Sequence, residues 1–320
     1  MHREINNILI AGIGGVGGYF GGRIAHGLAD KPEKQRQKVY FLARGAHLQA
    51  IKRDGLLLKP GQGPELRCRP ELATDTLNQI PSPDLVLVSV KSYDLAVLMD
   101  GLSGIITGNT LIIPLLNGID IYERIRKILP AAIILPAAVY VSANIAEPGV
   151  VVQRGMAGTL FCGPDPQHTD ENHQYLSGFF QGLDINFQWH ENPFYPIWEK
   201  YIFIASFGLV TAYSGEPFGG VLADARLKEL VQQIIQEIVA LAQARGIRLK
   251  EDVADSVITK ARVFPYETKS SYQRDIEAGR RNEGDIFAGT ILRFGRDYGV
   301  QTPVTGELYS AIEKKKGKRL

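Results

Sequence analysis

Two kinds of residue in this 320-residue chain could do chemistry. The first is the loop Gly12-Ile13-Gly14-Gly15-Val16-Gly17, whose glycines at 12, 14 and 17 satisfy G-x-G-x-x-G. In a strand-turn-helix setting such a loop holds a dinucleotide: one glycine for the tight turn, one for backbone approach to the pyrophosphate, one for close helix packing. The second kind is a set of single polar residues at the ends of apolar runs, or inside one: Arg44, Lys91, Asn117 and Lys200. A nicotinamide also needs a group that handles the proton matching its hydride, since reducing a ketone builds charge on the oxygen. Lys200, the conspicuous cation of the apolar stretch Trp198–Tyr213, can supply it. Spacing alone slightly favours a plainer reading, a lysine near a helix end with its head in water.

The elements that must position these residues follow from the hydrophobic pattern. Ile8-Leu-Ile-Ala11 reads as a buried strand feeding the glycine loop, and Tyr19–Leu28 continues with helical spacing. A second strand, Lys38–Ala43, ends at Arg44. An NAD-binding fold commonly carries an acid there for the ribose 2′-hydroxyl. The guanidinium suits a 2′-phosphate instead, so NADP(H) is the expected cofactor; otherwise Arg44 is a surface loop residue. Gly55–Lys59 and Glu65–Arg69 flank a turn-rich stretch and predict a hairpin. Asp84–Val90 and Thr110–Leu116 are near-continuous apolar strands of the parallel-sheet type, ending in Lys91 and Asn117. Ligands bind at the carboxyl edge of such a sheet, so the loop, Arg44, Lys91 and Asn117 are expected to converge.

Further strands are expected over Ile133–Ser142, Gly149–Gln153, Thr159–Cys162 and Ile185–His190, with helices over Ile119–Leu129 and Thr169–Gly182. From Pro193 onward the pattern is helical: Trp198–Tyr213, Ala223–Ala244, Glu251–Val263, Ser271–Gly279, Asp285–Tyr298 and Val304–Lys314. The expected architecture is therefore an α/β Rossmann-type NADP-binding domain, residues 1–191, followed by an all-helical C-terminal domain, residues 192–320.

Composition narrows the function. Lys+Arg is 36 and Asp+Glu 34, a net charge of +2 that makes no case for nucleic acid or an acidic membrane. The basic tail, Lys314–Arg319, reads as a solvated terminus. Two cysteines, Cys68 and Cys162, fit reduced thiols in a cytoplasmic protein. The start lacks the long apolar run of a signal peptide, and no apolar run reaches membrane-spanning length. The six histidines form no metal-ligand motif.

Several short motifs, taken together, resemble the ketopantoate reductase (2-dehydropantoate 2-reductase) family over nearly the whole chain. They are the glycine loop to Gly17, Leu42-Ala-Arg-Gly45, Val90-Lys91, Leu116-Asn-Gly118, Trp198-Glu-Lys200, Leu209-Val-Thr-Ala212, Lys269-Ser-Ser271, Asp275, Gly279-Arg-Arg-Asn-Glu283 and Tyr298-Gly-Val-Gln-Thr-Pro303. The resemblance implies NADPH and a 2-keto acid bound between the two domains, with Lys200 as proton donor to the ketone. It further implies cofactor contacts from Lys91, Asn117 and Ala143, a substrate-carboxylate contact from Ser271, and Glu283 beside both. Without the resemblance, Glu283 reads as a solvated helix start. The chain departs from the family pattern at three amide positions: Ile204 and Gly208, four and eight residues after Lys200, and Phe218. That makes the expected substrate pocket more apolar. 2-Dehydropantoate remains the first expectation, another branched 2-keto acid the second, and a non-catalytic NADP(H) sensor the third, which Lys200 argues against. The apolar helices of the second domain are compatible with a homodimer or simply with a core.

Overall fold

The computed structural model describes residues 4–29, 37–169 and 174–317. His2, His173 and the end of the basic tail lie outside them, as do residues 170–173 of the helix expected over Thr169–Gly182. The chain divides into two compact units, Met1–Leu116 with Ile121–Pro193, and Asn117–Asp120 with Phe194–Leu320.

The first unit is built on alternation of strands and helices: β1 (Asn7–Ala11), α1 (Gly15–Ala29), β2 (Lys38–Leu42), α2 (Gly45–Asp54), β3 (Leu56–Lys59), β4 (Leu66–Cys68), β5 (Leu72–Thr74), β6 (Leu85–Val88), α3 (Leu95–Leu102), β7 (Leu111–Pro114), α4 (Ile121–Ile128), β8 (Ile133–Ile134), β9 (Ala137–Glu147), β10 (Val150–Cys162), α5 (Tyr175–Gln181) and β11 (Asn186–Trp189). Six strands form a wholly parallel sheet in the order β5-β2-β1-β6-β7-β8. Their core residues are apolar on both faces, and Leu85, Val86, Leu87 and Val88 are all fully buried. The chain runs outward from β1 to β2 on one side and resumes at β6 on the other. The carboxyl end of β1 is thus the switch point at which open α/β sheets bind ligands.

A second sheet has the order β11-β10-β3-β4, with β9 paired to β10. The expected hairpin is there, β3 and β4 antiparallel with Leu56 opposite Cys68. Two expected strands, Gly149–Gln153 and Thr159–Cys162, are one strand, β10, carried across Gly155 and Gly158 by a register shift against β9 between Arg154 and Thr159. The expected strand Ile133–Ser142 instead divides at Leu135-Pro136. Its first part closes the parallel sheet and its second opens the β9/β10 hairpin. A proline has no N–H for the ladder, which favours the change of sheet there.

α1 lies between the sheets. A side chain at Gly21 would press on Ile10 of β1, one at Gly18 on Val151 of β10, and one at Gly22 would touch Leu58 and Cys68 of β3 and β4. These glycines cost helix propensity, roughly 1 kcal/mol each relative to alanine, which close packing on two faces must offset. Both cysteines are buried free thiols, and burial pushes Cys68 up to about 12.

The second unit is helical: α6 (Phe194–Ser214), α7 (Phe218–Ala223), α8 (Ala225–Ala244), α9 (Val253–Arg262), α10 (Ser271–Glu277), α11 (Thr290–Tyr298) and α12 (Pro303–Gly317). α7 was not expected as a separate element. Asp224 ends it and caps α8, its Oδ1 accepting the Leu227 N–H at 2.9 Å. The expected helix from Asp285 begins with one π-helical turn, Asp285–Gly289, before α11. Among the described residues no helix is long and apolar enough to cross a membrane.

Candidate active site

In the α/β unit the glycine loop sits at the end of β1. Gly12 has φ +102, a conformation that side-chain-bearing residues rarely adopt. Its N–H donates to the Leu42 carbonyl at 3.0 Å, and its own carbonyl accepts from Ser89 Oγ at 2.6 Å. A Cβ at Gly17 would fall on that carbonyl and on Ser89 Oγ, and one at Gly15 on the Ala143 carbonyl of β9. Ala143 therefore borders the loop directly. A Cβ at Gly14, by contrast, would meet nothing within 4 Å. Ile13 is buried and Val16 packs on the core, so the two side chains anchor the loop while its glycine backbone stays open. The first turn of α1 carries no acidic residue. An open glycine backbone at an unopposed helix N-terminus fits the pyrophosphate of a dinucleotide.

Arg44 follows β2 and caps α2 with extended backbone, φ −142. Its guanidinium is 80% exposed and pairs with Asp94 at 2.9 Å. Lys91 is exposed just after β6, and its carbonyl accepts the Asp94 N–H at 2.9 Å. The expected nucleotide residues of this unit thus lie on one sheet edge, together with two that were not singled out. Ser89 was hidden inside an apolar run. Asp94, three residues after Lys91, carried a signal only in its spacing.

In the helical unit three expected residues come together. Lys200 is 8% exposed on α6, and its Nζ donates to Asn117 Oδ1 at 2.6 Å. Asn117 follows β7 in sequence, but the segment Asn117–Asp120 groups with the helices. Burial pulls the Lys200 ammonium down to about 8, against the opposing pull of the Glu283 carboxylate. Glu283 is itself 6% exposed. It stands two residues before the π turn, which Tyr201 ties to α6 by donating to the Ile286 carbonyl at 2.6 Å. π-helical turns recur at functional sites because they shift the register of what precedes them.

Ser271 opens α10 and is half-buried; its neighbour Ser270 makes the cap, accepting the Gln273 N–H at 3.0 Å and pairing with Thr211 Oγ1 at 2.9 Å. Ile204 and Gly208 follow Lys200 at four-residue spacing on the same face of α6. Ile204 is half-buried, and a Cβ at Gly208 would meet only the Phe287 ring, at 3.5 Å. Phe218 is buried in an aromatic cluster with Phe203, Phe207 and Phe264. Among the described residues no group of three or more His, Cys, Asp or Glu could hold a metal ion.

A family model described as ketopantoate reductase PanE/ApbA matches residues 8–167, and its C-terminal counterpart matches residues 195–316. An uncharacterized oxidoreductase, YkpB of Bacillus subtilis, is 25% identical over 305 residues, covering 95% of this chain and 97% of its own. The crystal structure of a PanE/ApbA family ketopantoate reductase from Ralstonia eutropha superposes with a TM-score of 0.86 at 26% identity, covering 98% and 99% of the two chains. The ternary structure of D-mandelate dehydrogenase with NADH and anilino(oxo)acetate shares the fold, with a TM-score of 0.84 at 22% identity and coverage of 98% and 99%.

Proposed function

This chain belongs to the ketopantoate reductase PanE/ApbA family of oxidoreductases, and on that footing we propose that it is an NADPH-dependent reductase of a small branched 2-keto acid. 2-Dehydropantoate, reduced to pantoate on the route to coenzyme A, is the first substrate. The observation that carries the reading is the buried Lys200 ammonium, held between the Asn117 amide and the Glu283 carboxylate and brought down to about 8.

NADPH, when bound, supplies the hydride that goes to the ketone carbon. The loop Gly12–Gly17 and the N-terminus of α1 hold the pyrophosphate, with Ala143 at their side. Arg44 answers the 2′-phosphate, and Lys91 contacts the cofactor. Lys200 donates its proton to the ketone oxygen as that oxygen gains charge, and a pKa near neutrality makes the transfer efficient in either direction. Asn117 fixes the direction of the Nζ–H bonds. It accepts a hydrogen bond from Lys200 and cannot take the proton, so the proton stays available to substrate. Glu283 keeps Lys200 charged in a site where burial alone would discharge it. Ser271 donates to the substrate carboxylate.

A second reading keeps this chemistry and changes the substrate. Ile204 and Gly208 on the Lys200 face of α6, and Phe218 on α7, offer no amide, so the site is suited to a branched or larger apolar side chain rather than one carrying a hydroxyl. The protein with NADPH is assayed against 2-dehydropantoate and a panel of apolar 2-keto acids by loss of nicotinamide absorbance. Oxidation with 2-dehydropantoate favours the first reading; oxidation only with apolar acids favours the second. No oxidation with any of them, by folded protein that binds NADPH, refutes both.

A further inference from the structure

The acid missing from the end of β2 is supplied from elsewhere. Asp94 closes the single 3-10 turn Ser92–Asp94 after β6, and its Oδ2 lies 2.9 Å from Arg44 Nη2. It stands at the N-cap of α3, where an aspartate ordinarily accepts a backbone N–H, yet it makes no side-chain cap bond there. Its carboxylate is committed instead to the guanidinium fifty residues earlier in sequence. We propose that Asp94 narrows the preference for NADP(H) over NAD(H): it offers a carboxylate to a ribose 2′-hydroxyl and opposes a 2′-phosphate, so that the site accepts both cofactors.

The chemistry is that of two ligands competing for one cation. A 2′-phosphate carries about 1.5 to 2 negative charges at neutral pH and seeks the same forked donors that Asp94 holds. Binding it means either parting the ion pair or leaving a carboxylate beside the phosphate. A 2′-hydroxyl suffers neither penalty. It donates to a carboxylate, the role an acid at the end of the second strand plays in NAD-binding folds, here reached from the turn after β6, two strands away in the sheet. Arg44 still favours the phosphate, so Asp94 narrows the preference without reversing it. The Arg44 guanidinium is largely solvent-exposed and Asp94 half-buried, so the effect is modest: roughly three- to tenfold in the ratio of dissociation constants, and smaller in salt.

The inference rests on the sheet edge being a dinucleotide site, and binding measurements separate the two claims. Calorimetric titration of the full-length protein with NADPH and with NADH, at low and at physiological ionic strength, is compared with Asp94→Asn and Asp94→Ser. Both variants should tighten NADPH and weaken or leave unchanged NADH, raising the NADH-to-NADPH Kd ratio about three- to tenfold, most at low salt. Asp94→Glu, which keeps the charge, should stay within about twofold of the wild-type ratio. An unchanged ratio in the Asn and Ser variants overturns the proposal. So does weaker NADPH binding, which would mean that Asp94 merely aims Arg44. If the unmodified protein binds neither nucleotide, the reading of the edge as a nucleotide site falls as well.

Discussion

Replacing Glu283 with glutamine should move the pH at which the reductase switches off. Glutamine keeps the size of the side chain and most of its hydrogen bonding, and removes the charge. Lys200 stands at about 8 as the balance of two opposing effects: burial lowers it from 10.5 and Glu283 raises it. Removing Glu283 leaves burial unopposed, so the ammonium gives up its proton at lower pH. A single opposite charge in contact distance shifts a buried group by roughly one to three pH units. The low end of that range already puts the variant at about 7. At neutral pH the protonated, donating fraction of Lys200 would fall from about nine-tenths to about one half or less. The assay is kcat for ketone reduction at saturating NADPH, followed across the range from mildly acidic to alkaline. Wild type should lose activity through an alkaline limb near 8. Glu283→Gln should lose it at least about one unit earlier and recover much of the wild-type rate in mild acid. A limb left near 8, with only the amplitude reduced, would show that Lys200 is not the titrating donor or that Glu283 does not hold its proton.

Lys200→Met should lower kcat by about 10²–10⁴-fold while leaving NADPH affinity intact by titration. The same variant should be more stable. A buried lysine brought from 10.5 to about 8 costs the folded state on the order of 3 kcal/mol at neutral pH, readable by denaturant unfolding. In wild type that cost fades as pH rises from 8 toward 10.5, because the unfolded chain there binds more protons than the folded one. Arg44→Ala should weaken NADPH by about tenfold or more and NADH by far less, measured as Kd; equal losses would contradict its phosphate role. Gly15→Ala forces a methyl group onto the Ala143 carbonyl and should cost about 1–3 kcal/mol in thermal unfolding together with weakened binding of both nucleotides.

Much of this molecule was legible because its signals are local. A buried strand, a glycine turn and a helix occupy consecutive residues, and Arg44 and Lys91 follow closely after parallel strands whose carboxyl ends share one edge. What escaped depends on partners distant in sequence. Arg44 shows its charge in the sequence but not the Asp94 carboxylate that holds it. Lys200 shows an apolar neighbourhood, yet only the assembled helices bury it and bring Asn117 to its Nζ. The strand β10 read as two because Gly155 and Gly158 interrupt its apolar pattern, whereas β9 supplies the pairing that carries it through. The π turn at Asp285–Gly289 has no local sequence rule; its tie to α6, through the Tyr201 hydroxyl on the Ile286 carbonyl, joins residues 85 apart in sequence.

The place of α1 between the sheets bears on how the protein is made. Residues 57–59 pair with residues 150–152, and β11 completes that second sheet only at Trp189. A glycine-rich helix has little reason to form before both of its walls exist. On a ribosome, the first thirty residues therefore emerge carrying a glycine loop that has nothing to lean on. The loop gains its supporting walls only after some hundred and sixty further residues have appeared and the β9/β10 hairpin has folded back over it. Cutting the gene after the first few strand-helix repeats would leave the glycine signature intact and remove the second sheet against which α1 packs.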